Sequence, residues 1–358
     1  MRKKKTRYLT RLLVTLFLGA NVCTVLLMWL TVCSTFISPS LYPSLTLPGL
    51  AFPIFVFVDI LFIFFWMIFH IRLVWVPIAG LAVVGAYALD YCPVHIGDEA
   101  SLDSTVCVVT YNVGHTYTDE DRLEVVRFIR EQSADIVCFQ EINGQLMNLK
   151  EFTQTADSMG YHRVVGYAKY ILTRFPVMGD TLNVTYPTKK GNRSMACWID
   201  CMGDSVLVVS NHLESNHLSD SDKTEYKGMI LEPERQRMEQ SGKLLAGKLK
   251  SAASYRGAQA DTLCALIDRN AGKSMIFCGD FNDTPISYTY QRLTRKLDCA
   301  FRQAGNGHGF TYRQSGIFVR IDHIFISPDW ECRKCYTETS VGASDHFPVV
   351  AYLRKKRR

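Results

Sequence analysis

The sequence predicts a single α/β domain behind a membrane region of about three transmembrane helices, and three observations lead there. Of 358 residues, 48% are hydrophobic, more than one compact core requires. The surplus lies at the front, in apolar stretches at 12–37, 50–71 and 73–90, each near the roughly 20 residues a helix needs to cross a bilayer. From about residue 104 onward, strand-like and helix-like segments intermix over about 255 residues with neither repeat nor linker. The chain therefore divides into a membrane region, 1–97, and a domain, 98–358.

The first apolar stretch has a basic start, but it is too long for a cleaved leader and lacks a small-x-small cleavage site. Arg2, Lys3, Lys4, Lys5, Arg7 and Arg11 precede it, and Arg72 separates the second and third stretches. The 38–49 loop and the segment 91–121 carry no Lys or Arg. Basic residues mark cytoplasmic loops, so the N-terminus is expected inside the cytoplasmic (inner) membrane and everything after residue 90 outside. Asn21 and Asp59 fall within spans, where polar groups are costly, and are expected to pair one helix with another.

Residues 1–97 hold seven Lys/Arg and two Asp/Glu, contributing +5 of the formal +6. The remaining 33 basic and 32 acidic residues include the basic tail Arg354–Arg358, so the body of the domain is near −4. Proteins that grip long duplex DNA usually carry a basic footprint, which this body lacks in bulk. Cys107, Cys138 and Cys278 sit inside apolar runs and read as small buried hydrophobes. Cys332 and Cys335 form a lone C-x-x-C with no second pair, a poor zinc site.

Within the domain, runs of apolar residues bounded by turn residues predict strands at Thr105–Val113, Asp135–Gln140, Ser194–Cys201, Ser205–His212, Ser274–Asp280, Arg320–Ser327 and Phe347–Leu353. Helical periodicity appears at Asp119–Gln132, Gly144–Ser158 and about Glu234–Ala253. The polar stretch Glu214–Pro233 follows a strand end and is expected to be a site-lining loop.

Six strand-like runs stop on, or start from, polar residues able to build a site. "VCVVTYNV" delivers Asn112, "DIVCFQEI" delivers Gln140 and Glu141, and "VLVVSNHLES" delivers Asn211 and His212. "SMIFCGDFNDTP" ends in Asp280, Asn282 and Asp283, and Gly279 can take backbone angles closed to other residues. "VGASDHFPVV" sets Ser344, Asp345 and His346 before the last strand, and "RIDHIFIS" adds Asp322. Carboxylates and an amide oxygen, without a Cys or His cluster, suit Mg²⁺ or Mn²⁺. Two histidines and further carboxylates fit phosphate-ester hydrolysis, which requires an activated water and donors for the charge developing on phosphorus. No G-x-S-x-G elbow, P-loop or dinucleotide fingerprint is present.

These motifs, "TYN", "QE", "NHL", "GDFN", "IDH" and "SDH" in this order across residues 104–353, resemble those of the endonuclease/exonuclease/phosphatase superfamily, the deoxyribonuclease I-like enzymes, which include membrane-anchored bacterial members. The resemblance implies a four-layered sandwich, two packed mixed β-sheets flanked by helices. It implies that Glu141 binds the divalent metal, with Asn112 and Asp345 close to it. Asp280 is expected to orient or deprotonate the attacking water, helped by Asn282. His346 is expected to contact the scissile phosphate while Asp322 fixes its tautomer. His212 stands where deoxyribonuclease-like members have histidine and abasic-site enzymes tyrosine. Arg193, in "NRSMACWI", resembles a phosphate-contacting arginine.

The resemblance thus implies a membrane-anchored, metal-dependent phosphodiesterase or nuclease. Within the same family a phospholipid or inositol-phosphate phosphoesterase fits equally, so the substrate is expected to be nucleic acid, a phospholipid head group or a small phosphodiester. The contrasting class is a catalytically silent, membrane-tethered binding module; every matched position holds the required residue, which favours activity. The lipid bilayer is the other expected partner, and no protein partner is inferable.

Overall fold

The computed structural model describes residues 2–96, 101–188, 193–231, 235–314 and 316–356. The expected division at 97/98, the end of the 214–233 stretch, Glu234 and the last two residues of the basic tail lie outside the described residues. Three helices come first: α1 (Arg2–Cys33), α2 (Phe52–Phe69) and α3 (Trp75–Tyr91). The domain continues with β1 (Val106–Asn112), α4 (Asp119–Gln132), β2 (Ile136–Gln140), α5 (Gly144–Met147), α6 (Lys150–Ser158), β3 (His162–Gly166), β4 (Lys169–Thr173), β5 (Val177–Thr185), β6 (Arg193–Cys201) and β7 (Asp204–His212). Two helices follow, α7 (Asp220–Leu231) and α8 (Arg235–Arg269), then β8 (Ser274–Asp280), α9 (Tyr288–Thr294), β9 (Asp298–Cys299) and α10 (Ala300–Ala304). The chain closes with β10 (Tyr312–Gln314), β11 (Ile317–Val319), β12 (Asp322–Ile326), β13 (Trp330–Thr337) and β14 (Val349–Lys355).

The strands form two six-stranded mixed sheets, ordered β13-β14-β1-β2-β4-β3 and β5-β6-β7-β8-β12-β9, with β10–β11 as a separate hairpin. Among the described residues, the only parallel pairs in the two sheets are β1 with β2 and β7 with β8. Apolar residues of both sheets meet in one core, where Val106, Val108, Ile136, Cys138 and Ala351 pack with Val208, Ile276, Cys278 and Ile324. On the outer face of the first sheet, Val125, Ile129 and Phe152 of α4 and α6 cover Val109, Val137 and Leu172. Helices α8 and α9 cover the second through Leu263, Ile267, Tyr290 and Leu293. This is the helix–sheet–sheet–helix sandwich expected from the motifs.

Local sequence explains where the elements depart from expectation. Helix α4 keeps its expected bounds because Thr118 caps the Asp121 N–H and Asp121 returns the bond. The segment expected as one helix over Gly144–Ser158 is two, broken where Leu149 turns extended. Glu214–Pro233 is not an open loop: Ser219 and Asp222 exchange N–H bonds (2.7 and 3.2 Å) that start α7. Helix α8 runs sixteen residues past Ala253, where its buried face continues through Ala260, Leu263 and Ile267. Strands β3, β4, β5 and β13 were not anticipated; β5 is half-exposed along its length and β13 carries a bulge at Cys332/Lys334 amid charged residues. The nine cysteines from Cys107 onward are buried free thiols.

Three segments, Tyr8–Cys33, Pro43–Phe69 and Ile71–Tyr91, are long and apolar enough to cross a membrane. The first expected stretch is shortened at its end, since α1 stops at Cys33, and the second starts in a 3₁₀ turn over Pro43–Ala51. Asn21 donates to Asp59 (2.8 Å) and accepts from the Trp66 indole (3.0 Å), the expected pairing of polar groups between helices. These helices pack against the domain. Ile286 sits among Met28, Val32, Phe52 and Val84. Asp90 accepts from Gln291 (2.8 Å) and pairs with Arg302 (3.2 Å), while its carbonyl takes the Arg320 guanidinium.

Gly279 lies against the backbone of Asn211 in β7: at φ 141°, a Cβ there would overlap the Asn211 carbonyl oxygen. Gly279→Ala is therefore expected to prevent folding or cost at least ~3 kcal/mol, because backbone must move. Gly272→Ala, at φ 81° in open space, is expected to cost about 1 kcal/mol, the strain of a left-handed alanine. Thermal unfolding of the two variants checks the difference.

Candidate active site

The site follows from strand periodicity. Side chains alternate across a strand, so residues two apart share a face. In β1 the inter-sheet face runs Val106, Val108, Thr110, Asn112, and in β2 Ile136, Cys138, Gln140. Register sets His212 beside Asp280 and Asp280 beside Asp322, two residues beyond the core pair Cys278 and Ile324. Asn112, His212, Asp280 and Asp322 are thus the polar end of one apolar layer. Beneath them lies a fully buried belt in which Gln140 accepts from Thr110 Oγ1 (3.3 Å) and donates to Ser210 Oγ (3.1 Å).

Two positions are held in left-handed backbone that non-glycine residues avoid: Glu141 at φ 54° and Asn282 at φ 52°. Such strain costs about 1–3 kcal/mol and persists where surrounding structure imposes it. Here it turns the chain directly after β2 and β8 and brings both side chains back to the strand ends. Gly114 makes room, since a Cβ there would stand 2.7 Å from Glu141 Oε2.

Asn112 Nδ2 donates to Glu141 Oε1 (3.0 Å) and Asp280 Oδ2 (3.1 Å), while its Oδ1 accepts from Gly114 N (2.9 Å). His212 Nε2 lies 3.4 Å from Glu141 Oε1 and 3.8 Å from Asp280 Oδ2. His346 Nδ1 is hydrogen-bonded to Asp322 Oδ2 at 2.8 Å, and its Nε2 stands 3.9 Å from Asp280 Oδ2. Asp280 Oδ1 accepts from the Asn282 backbone N–H (2.8 Å). The Asn282 amide nitrogen is spent on the Leu213 carbonyl (3.2 Å), leaving Oδ1 as its available end. Seven of the nine expected residues therefore converge. Asp345 stands at the edge, with Oδ2 3.8 Å from His115 Nε2. Arg193 lies at the exposed start of β6, on the face of Met195 and Cys197.

Burial and the neighbouring Asp322 charge push Asp280 up to about 7, against the pull of His346. Burial disfavours the charged form of His346, but the Asp322 charge and hydrogen bond, with Asp280 and Asp345, override it and hold the imidazole up at about 10. Burial lowers His212 to about 4, with Glu141 opposing. Among the described residues, Glu141, His212 and Asp280 form one group able to hold a metal ion, and Asp280, Asp322 and His346 a second that shares Asp280. His212 Nε2 and Asp322 Oδ1 are buried without a hydrogen-bond partner among the described residues. Crowded carboxylates, a carboxyl driven towards neutrality and orphaned donor atoms are relieved by a hard divalent cation, so the residues fit one.

Sequence reading missed Lys169. It opens β4 opposite Gln140, on the inter-sheet face of Ile171, and is 4% exposed. Burial lowers its ammonium to about 8, offset in part by Glu141. A lysine at an inward position of a strand was the available clue, but β4 itself was not recognised. Tyr312 was also missed: it bridges to His346 with rings 5.1 Å apart, and Lys223 of α7 binds Gln314 on the same hairpin. Asn211 belongs to the framework, since it donates to the Cys278 carbonyl (3.0 Å) and accepts from Ser194 (2.7 Å).

A two-sheet sandwich with acidic and histidine side chains gathered at one set of strand ends defines a class. The model of the Endonuclease/Exonuclease/phosphatase family matches residues 109–346, about two thirds of the chain, and the chain belongs to that family. A domain of unknown function matches residues 14–88. No curated protein matches the chain. Among solved structures, the human Nocturnin catalytic domain is similar at 16% identity and TM-score 0.51, covering 71% of this chain and 94% of that one. A family protein from Leptotrichia buccalis is similar at 17% and 0.50, covering 69% and 98%. D. rerio TDP2, complexed with a single-strand DNA product, is similar at 15% and 0.50, covering 71% and 100%. At these identities the likeness concerns the fold.

Asp283, one residue past Asn282, pairs with the buried Arg256 (3.1 Å) instead of entering the site. Asp283→Ala leaves that guanidinium short of a partner and is expected to lower stability by about 3 kcal/mol. Asp280→Asn removes repulsion between carboxylates and is expected to leave stability unchanged or raised. Paired thermal unfolding of the two variants tests this division.

Proposed function

We propose that this chain is a membrane-anchored phosphoester hydrolase that uses a divalent metal ion, Mg²⁺ first and Mn²⁺ second, with its catalytic domain outside the cytoplasmic membrane. The observation that carries the reading is the line Asp322–His346–Asp280, with His212 set between Asp280 and Glu141 at the same strand ends. Glu141 is the main metal ligand, and Asn112 aligns its carboxylate with that of Asp280. A bound divalent cation supplies Lewis-acid stabilisation of charge on the phosphoryl oxygens.

The remaining work falls to side chains. Asp280, with one oxygen fixed by the Asn282 N–H, orients the attacking water and accepts its proton; a group near pH 7 suits that task. Asn282 Oδ1 accepts a hydrogen bond from the same water. His346 remains protonated at neutral pH, and Asp322 on Nδ1 turns its Nε2–H towards the phosphate. His212 lines the opposite wall. Lys169, and Arg193 at the rim, add positive charge where phosphate oxygens arrive. Asp345, at the edge beside His115, would add a further carboxylate near the cation.

Orientation follows from charge. Helix α2 runs from Phe52, packed by the domain, to Phe69, about 26 Å further along its axis, so Arg72 belongs to the face away from the domain. Basic residues mark the cytoplasmic face, which supports an exported domain.

EDTA is expected to abolish turnover of a generic phosphodiester, and Mg²⁺ to restore it. Glu141→Gln is expected to be inactive with weakened Mg²⁺ binding in a folded protein. Asp280→Asn is expected to lower kcat at least ~100-fold, the lower range for losing a general base. Activity undiminished by EDTA, or full activity of Glu141→Gln, overturns the assignment.

For topology, a C-terminal alkaline phosphatase fusion is expected to be active and a C-terminal green fluorescent protein fusion dark. The reverse pattern puts the domain in the cytoplasm.

A further inference from the structure

The apolar helices dock at the end of the sandwich that holds the site. Strand β8 ends at Asp280 and β12 begins opposite it at Asp322. Ile286, packed among Met28, Val32, Phe52 and Val84, follows Asp280 by six residues, and Arg320, on the Asp90 carbonyl, precedes Asp322 by two. Helix α8 returns to the start of β8 from its Arg269 end. Gly257 and Ser254, where Pro39 and Ser40 pack, therefore lie about 18–22 Å up the helix, level with the far end of a seven-residue strand about 23 Å long. Arg256 between them confirms the level by binding Asp283. The α1 and α3 C-termini and the α2 N-terminus meet the domain on this one side.

A second observation links that side to the catalytic histidine. Tyr91, at the end of α3, meets His308 edge-on (5.8 Å), His308 stacks on Phe310 (5.0 Å), and Phe310 lies 6.1 Å from Phe318. Phe318 is on β11, 56% exposed, in the hairpin whose Tyr312 packs on His346. An aromatic ridge thus runs from the apolar helices to the β10–β11 hairpin, which presents Phe318 on one face and Tyr312, against His346, on the other. Solitary exposed phenylalanines are ordinary; one continuous with a membrane-facing surface marks an interface with lipid.

We propose that the substrate is a phospholipid taken from the bilayer beside this face, with the β10–β11 hairpin and Phe318 resting in the bilayer surface and the lipid phosphate reaching His346 and Asp280 at the strand ends. This rests on the reading of the site as a phosphoesterase. Water adds across one P–O ester bond: its oxygen bonds to phosphorus, its proton passes to Asp280, and the leaving oxygen departs as the alcohol with a proton from His346. The near-neutral charge after residue 97, 33 basic against 32 acidic residues, gives long polyanions no counterweight.

The full chain, purified and reconstituted into dioleoylphosphatidylglycerol vesicles with Mg²⁺, is assayed on that lipid, on bis(p-nitrophenyl) phosphate and on a single-stranded oligonucleotide. Lipid hydrolysis is expected to dominate. Phe318→Ser is expected to slow lipid turnover at least ~10-fold, the worth of one lipid-buried phenylalanine, while the soluble diester changes less than about 2-fold. Hydrolysis of the diester or oligonucleotide without hydrolysis of the lipid overturns this inference alone. An equal loss on lipid and diester in Phe318→Ser overturns the role of the ridge. Absence of hydrolysis on all three substrates overturns the phosphoesterase reading and this inference with it.

Discussion

The site depends on the register between two sheets. In β1, β2, β7, β8 and β12, the side chains that fill the inter-sheet core and those that line the pocket belong to the same alternating series, so packing at Val108, Cys138, Cys278 and Ile324 fixes what stands two residues further on. A one-residue slip in any of these strands would turn its functional side chain to the opposite face and bury a polar group among helices. The core thus does more than stabilise: it supplies the tolerance to which Asn112, His212, Asp280 and Asp322 are held. The left-handed turns at Glu141 and Asn282 are sustained by the same rigidity, because a looser strand end would relax them.

Electrostatics imposes the second condition. Carboxylates at 141, 280, 322 and 345 gather at neighbouring strand ends and would repel one another, most strongly where Asp280 and Asp322 are buried. The histidines are interleaved with them: His346 between Asp322 and Asp280, His212 between Glu141 and Asp280. The two imidazoles diverge as a result. His346, touching a carboxylate at hydrogen-bond distance, keeps its proton, while His212, farther from its carboxylates and buried, loses it. One donor and one acceptor across a shared pocket is an arrangement that composition alone does not specify.

Much of this was legible beforehand where information is local. An apolar run that stops on "GDFN" or begins after "SDH" declares a strand and its polar end together, and Thr118 with Asp121 declares the start of α4. What escaped was non-local. Lys169 carries meaning only once β4 is known to pair with β2, which sets it opposite Gln140. Strands β5 and β13 lie at sheet edges, where one face meets solvent and the hydrophobic alternation that identifies a strand is diluted. The helix within Glu214–Pro233 rests on a side-chain cap, Ser219 with Asp222, that resembles ordinary loop polarity until its geometry is seen.

The N-terminal apolar helices read in sequence as a separate region, but their ends are built into the domain. Arg320 is buried, lies over the Phe301 ring (4.2 Å), donates to the His308 carbonyl (2.7 Å) and reaches the Asp90 carbonyl at the end of α3. Two residues later the chain delivers Asp322 to His346. Removing the helices would strip Arg320 of one acceptor and Arg302 and Gln291 of a carboxylate, and would expose Ile286 directly beyond "GDFN". A guanidinium buried with an acceptor missing is costly, and the cost would fall on the segment that positions Asp322. The apolar helices and the candidate site therefore share one segment of chain, Arg320 to Asp322, and the geometry of the site depends on both.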